Sequence, residues 1–149
     1  MSSPPMSTSQ RADLARDLAS RIRGEVRHDA TSRMLYATDA SVYQVPPALV
    51  VIPRAPEDLA AILAVARERR LSVVARGAGT SLEGQTVGPG IQVDFSRFLN
   101  RVLAIDPEGR TALVEPGIVL DHLNAALAPH GLMFGPDVAT TDRATVGGM

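Results

Sequence analysis

The chain contains no cysteine, which removes disulfides, thiol catalysis and cysteine-ligated metal from consideration. Its 3 histidines, His28, His122 and His130, lie far apart without a metal-like spacing, so no metal site is expected. A charge excess of one sign is missing too: 15 basic against 16 acidic residues give no pull toward nucleic acid or anionic membrane. No apolar run reaches membrane-spanning length and none near the start resembles a secretory signal, so a cytoplasmic protein is the default expectation. Beyond the first residues there is no internal repeat and no low-complexity block.

What is there is a glycine-rich loop, Arg76-Gly77-Ala78-Gly79-Thr80-Ser81-Leu82-Glu83-Gly84, after the strand-like run Ser72-Val73-Val74-Ala75. Glycines permit positive φ and let backbone N–H groups converge on an anion, and Thr80 and Ser81 add hydroxyl donors. The bland alternative is a flexible turn between strands. An arginine at the entrance, hydroxyls inside and a second pair, Gly147-Gly148, favour a phosphate cradle. Two familiar cradles fit only in part. Gly79 to Thr86 has the spacing of an ATP-binding P-loop, but Gln85 stands in place of the lysine. Gly77-Ala78-Gly79 begins like a dinucleotide fingerprint, yet Leu82 occupies the third glycine's place. Both need a helix to start at the loop, whereas here Val87-Gly88-Pro89-Gly90 turns the chain into the run Ile91 to Phe95.

At 149 residues the chain can build one domain with a real core. Residues 1–9, rich in Ser, Pro and Thr, are expected to form a loose leader. Leu14, Leu18 and Ile22 then recur at helical spacing, with Ser7, Thr8 or Ser9 to cap the start and Gly24 to end an accessory helix. A short strand over Val26 to His28 and a helical turn over Arg33 to Ala37 follow, and Tyr43 is expected to cover an edge, half-buried. Ala48 to Ile52 reads as a buried parallel strand. Pro56 opens a helix with Glu57 and Asp58 in its first turn, and Leu71 to Ala75 is the next buried strand, making a βαβ unit whose carboxyl edge delivers the loop. Beyond it the rhythm becomes all-β: Arg101 to Ile105 and Thr111 to Glu115 flank the hairpin signal Asp106-Pro107-Glu108-Gly109-Arg110. A helix over Val119 to Leu127 ends near His130-Gly131. The chain stops just after Gly147-Gly148, which reads as a truncation.

Taken in order, Pro53-x-x-Pro56-Glu57-Asp58, Val74 to Leu82, Asp94-Phe95-Ser96-Arg97, Ile105-Asp106-Pro107, Val114-Glu115-Pro116-Gly117, His130-Gly131-Leu132 and Ala144 to Gly148 resemble the FAD-binding domain of the vanillyl-alcohol oxidase and p-cresol methylhydroxylase superfamily. Within it the chain is most similar to the bacterial FAD-linked 2-hydroxy-acid dehydrogenases, the group of the flavin-carrying glycolate oxidase subunits and the D-lactate and D-2-hydroxyglutarate dehydrogenases. Tyr43-Gln44 and Gly135 to Thr141 look like the large members fused to an iron–sulfur module. The resemblance implies an α/β fold of two subdomains, the first small and parallel, the second antiparallel with flanking helices. It divides the chain into a leader and accessory helix at 1–29 and a C-terminally incomplete FAD-binding domain at 30–149.

By the same resemblance Arg76, Gly77, Ala78, Gly79, Thr80, Ser81 and Leu82 wrap the FAD pyrophosphate, and Gly84 lets the backbone pass the cofactor closely. A second contact region falls on Asp137, Thr140, Thr141, Thr145, Gly147 and Gly148. Some relatives hold FAD covalently through a loop histidine; Thr80 stands there, which implies a non-covalent flavin. The implied reaction is hydride transfer from a small 2-hydroxy acid to FAD, with electrons passed to a quinone, cytochrome or iron–sulfur centre. Cap domain and catalytic residues are implied to lie downstream, so no catalytic residue is named. Two rivals stay open: a non-catalytic nucleotide-binding module with a degenerate P-loop at Gly79 to Thr86, and an interaction fragment with a vestigial loop.

Overall fold

Ser7 opens the first helix through a reciprocal pair of bonds. Its hydroxyl accepts from the Gln10 amide at 3.2 Å, and the Gln10 side-chain oxygen accepts from the Ser7 amide at 2.8 Å. This computed structural model describes residues 6–149, so the first part of the expected leader lies outside the described residues. Helix α1 (Thr8–Arg21) buries Leu14 and Leu18, each worth about 2 kcal/mol of transfer from water. It ends at Arg21 with an extended Ile22, before Gly24 is reached. After strand β1 (Glu25–Arg27), Asp29 caps the short helix α2 (Ala30–Leu35) by accepting from the Ser32 amide, so the helical turn starts earlier than Arg33.

Strands β2 (Leu49–Ile52), β3 (Val73–Arg76) and β4 (Ile91–Asp94) complete a sheet of order β1-β2-β4-β3, with helix α3 (Pro56–Arg69) between β2 and β3 in sequence. Only β1 runs antiparallel. The expected βαβ unit is present, but its two strands are not neighbours. β4 lies between them, Ile91 pairing with Leu49 on one side and Val73 on the other. Leu49, Val51, Ile91 and Val93 pack against Leu14, Leu18, Ile62 and Val65 of α1 and α3. Val50, Ile52, Gln92 and Asp94 alternate onto the opposite face. β3 is therefore an edge strand with Ala75 exposed, not the fully buried strand its apolar run suggests.

The second unit is a hairpin of β5 (Val102–Asp106) and β6 (Thr111–Val114), whose turn is set by the Asp106 carboxylate accepting from the Gly109 amide at 3.0 Å. Helix α4 (Leu120–Leu127) covers it, placing Leu123 and Leu127 with Val102, Ile105 and Val114, and a 3-10 turn over Ala128–His130 closes at Gly131. The C-terminal segment runs back beside the start of α4: Val119 bridges Thr145, and the Leu120 amide donates to the Ala144 carbonyl at 3.0 Å. Among the described residues no helix is long and apolar enough to cross a membrane.

Candidate functional site

β3 ends at Arg76, and the chain leaves the carboxyl edge of the sheet as the glycine loop. Among the described residues the N–H groups of Gly77, Ala78, Gly79, Thr80, Ser81 and Leu82 donate to no protein acceptor. Gly79 has φ 72, a conformation that costs a side-chain-bearing residue about 1–2 kcal/mol. Gly77 is required for closeness instead: a Cβ there would meet Thr145 Oγ1 at 2.1 Å. Loop and C-terminal segment so form two walls of a cleft of about 1100 Å³, and Thr38, Asp39 and Ala40 form a third. A run of unpartnered amides around a positive-φ glycine, beside an arginine, is a donor set that fits a phosphate group.

Around the loop, the side chains divide into those consumed by the protein and those left open. Arg76 Nη2 donates to the Thr38 carbonyl at 2.8 Å, and Nη1 donates to the carbonyls of Thr86 at 3.3 Å and Tyr36 at 3.4 Å. Its guanidinium also lies 5.1 Å from the centre of the Tyr36 ring. The Ser81 hydroxyl bonds Gln85 Oε1 and accepts from the amides of Glu83 and Gln85, so it closes the loop on itself. Thr80 keeps its hydroxyl without a protein partner among the described residues. Ala40 donates its amide to the Gly79 carbonyl at 3.1 Å, tying the third wall to the loop.

Two acidic groups frame this arrangement. Asp39 accepts from the Ser41 amide at 2.9 Å and from Thr86 Oγ1 at 3.0 Å. Burial opposes its ionisation, but those bonds prevail and hold its carboxyl below the ordinary value. Beneath the loop, Tyr36 donates its hydroxyl to the buried Asp94 carboxylate, while Gln92 donates to the Tyr36 carbonyl at 2.9 Å. Burial first, and then the bond to Asp94, push the Tyr36 phenol well up, so it stays a donor. Gln92 Oε1 is buried without a partner. Among the described residues no three His, Asp or Glu side chains gather as a metal site would need.

The cleft brings together Arg76 through Leu82 with Thr140, Thr145 and Gly148. Gly84, Asp137, Thr141 and Gly147 are not among its lining residues. The space where a Gly84 side chain would point holds the Tyr43 ring, whose residue is 54% exposed, about half buried as expected. Thr141 accepts from the Asp121 amide at 3.2 Å, and the Gly147 amide donates to Pro116 at 2.8 Å, so both serve the α4 junction. Sequence reasoning missed Asp39 and Arg143, which also line the cleft, and reached Thr86 only through the P-loop alternative. Asp39 sits in the polar run Thr38 to Ser41, and Arg143 is the basic residue inside the second contact region; those were the available signals.

Residues 47–149 match the family described as FAD binding domain. The chain is 45% identical over 130 residues to D-2-hydroxyglutarate dehydrogenase of Pseudomonas putida, covering 85% of this chain and 13% of that protein. It is 38% identical over 127 residues to glycolate oxidase subunit GlcD of Escherichia coli, covering 83% of this chain and 25% of the relative. Among solved structures, an alkyldihydroxyacetonephosphate synthase superposes with a TM-score of 0.81 at 21% identity, over 99% of this chain and 30% of that one. This last likeness speaks for the fold alone. The chain thus spans from about an eighth to a quarter of the length of these curated relatives.

Proposed function

The chain belongs to the FAD-binding-domain family, and from that premise we propose that its cleft holds the diphosphate of a non-covalent FAD in a dehydrogenase acting on a small 2-hydroxy acid. The observation that carries this is the row of unpartnered amides from Gly77 to Leu82. A buried or half-buried dianion is costly without such donors, and these successive N–H groups, left by the fold to solvent, are available to it. Gly77 to Leu82 would hold the diphosphate, with Thr80 as a hydroxyl donor and Thr140, Thr145 and Gly148 facing the rest of the cofactor. Gly84, where the backbone would pass the cofactor closely, and Asp137, Thr141 and Gly147 of the second contact region belong to the same reading, although they do not line the cleft itself.

When bound, FAD supplies the redox chemistry, accepting hydride from the carbon that bears the substrate hydroxyl. This chain's residues bind and orient. The names of the curated relatives support a 2-hydroxy acid as substrate. In this reading the substrate-binding cap belongs to a part of the protein outside this segment. Electrons then pass to a quinone, a cytochrome or an iron–sulfur centre. The FAD-binding unit extends over residues 30–149, with 1–29 as leader and accessory helix, and the protein works in the cytoplasm.

The test is a titration of the chain with FAD, followed by flavin fluorescence and by amide-exchange protection across residues 74–86. Saturable binding with protection in the loop supports the reading. A folded chain that binds no FAD overturns it.

A further inference from the structure

We infer that Arg143, and not Arg76, supplies the positive charge that meets the diphosphate, and that Arg76 is a positioning residue that fixes the loop's shape. This rests on the flavin reading above. Arg76 and Arg143 are the two basic side chains among the residues lining the cleft, and Asp39 is the acidic one.

The two arginines are differently committed. Arg76 points its guanidinium into three backbone carbonyls, at Tyr36, Thr38 and Thr86, and stacks on the Tyr36 ring. Swinging it onto an anion would strip the Thr38 and Thr86 carbonyls of this donor and leave the Tyr36 carbonyl to Gln92 alone. Those carbonyls belong to the third wall and to the exit of the glycine loop, so Arg76 staples the two together. Lysine, a point charge without the planar fork, does not reproduce that geometry.

Arg143 stands on the opposite wall with its Nε donating to the neighbouring Asp142 at 3.0 Å. Both partners of that pair are more than half exposed, at 61% and 64%, and such pairs are worth little. Its two Nη groups donate to nothing among the described residues. The amide row supplies donors but no net charge, and Asp39 already adds a negative charge to the cleft. A dianion gains most from a cation whose donors are uncommitted, and Arg143 is the lining arginine whose forked end is open among the described residues.

The experiment uses the chain with FAD and ADP as probes, titrated at low and high salt, in wild type and in Arg143→Gln, Arg143→Lys and Arg76→Lys. Arg143→Gln is expected to weaken both ligands about 10-fold at low salt and to flatten the salt dependence, with an unchanged melting temperature. Arg143→Lys recovers most of the affinity and the salt dependence. Arg76→Lys lowers the melting temperature and weakens FAD while the salt dependence stays as in wild type. If wild type binds FAD and Arg143→Gln matches it in affinity and salt dependence, the inference falls and the flavin reading stands. If folded wild type binds ADP but not FAD, the flavin reading falls, and ADP still decides the role of Arg143. Failure to bind either ligand overturns both.

Discussion

A Cβ added to Gly77 would lie 2.1 Å from Thr145 Oγ1, so the end of β3 and the C-terminal segment share space that only one of them can fill. Thr145 is itself 5% exposed and has little room to withdraw. Gly77→Ala is expected to lower stability by about 1–3 kcal/mol, as overpacking does, read as a drop in the urea midpoint. Adding Thr145→Ala should recover part of the loss. Strictly additive single and double variants would show that the two residues do not compete.

Gly79→Val combines a left-handed backbone with a branched side chain. The Cβ would come within 2.5 Å of Arg76 Nη2, so the clamp and the loop would both have to shift. FAD affinity is expected to be lost while the helical circular-dichroism signal is kept, since the loop lies outside the packed face of the sheet. Wild-type affinity in this variant would sink the assignment of the loop to the diphosphate.

Asp58 is 4% exposed and accepts from two backbone amides, Arg23 at 2.9 Å and Arg54 at 2.8 Å. It does more than favour a helix dipole, because it ties the approach to β1 to the turn before α3. Asp58→Ala leaves both amides without that acceptor and should cost about 2–3 kcal/mol in denaturant unfolding. A loss comparable to an exposed helix substitution would mean that water replaces the carboxylate freely.

Glu115 gives the chain an acid-sensitive joint. Its carboxylate accepts from Arg101 Nη2 at 2.8 Å, Nε at 3.1 Å and the backbone amide at 2.9 Å, and the Arg101 side-chain bond above all holds its carboxyl below the ordinary 4.5. A depressed folded-state value means that the stabilisation is complete above about pH 4.5 and disappears as pH falls through the lower folded value. The melting temperature of Glu115→Gln should therefore lie below wild type at pH 7 and approach it in acid. Parallel melting curves across that range would contradict the linkage.

Local chemistry made several elements legible. Ser7 and Gln10 form a capping box, Pro56 stands at the first turn of α3, and Asp106 with Gly109 sets the hairpin. Strand order was not legible, because it depends on what covers each face. In the run Ile91-Gln92-Val93-Asp94 the two polar residues are buried with the two apolar ones: Tyr36 and Ser96 satisfy the Asp94 carboxylate, and Tyr36 takes one end of Gln92. Nothing periodic announces a distant tyrosine. In the cleft, the glycines were legible from their spacing, whereas the division of labour between Arg76 and Arg143 lies in where long, flexible side chains end. At Gly84 the expectation is room for a cofactor, and what a sequence does not reveal is that the Tyr43 ring lies where a side chain there would point.

The bridge between Val119 and Thr145 has a consequence for biosynthesis. The strands of the parallel sheet emerge from the ribosome well before Thr145, and they carry the glycine loop with one wall absent. Synthesis runs from the N-terminus, so Leu49 and Ile91 are available to pair before Thr145 is made, while the cleft is still open. The cleft is completed only when the segment around Thr145 folds back along α4, so cofactor capture follows the folding of the sheet rather than accompanying it.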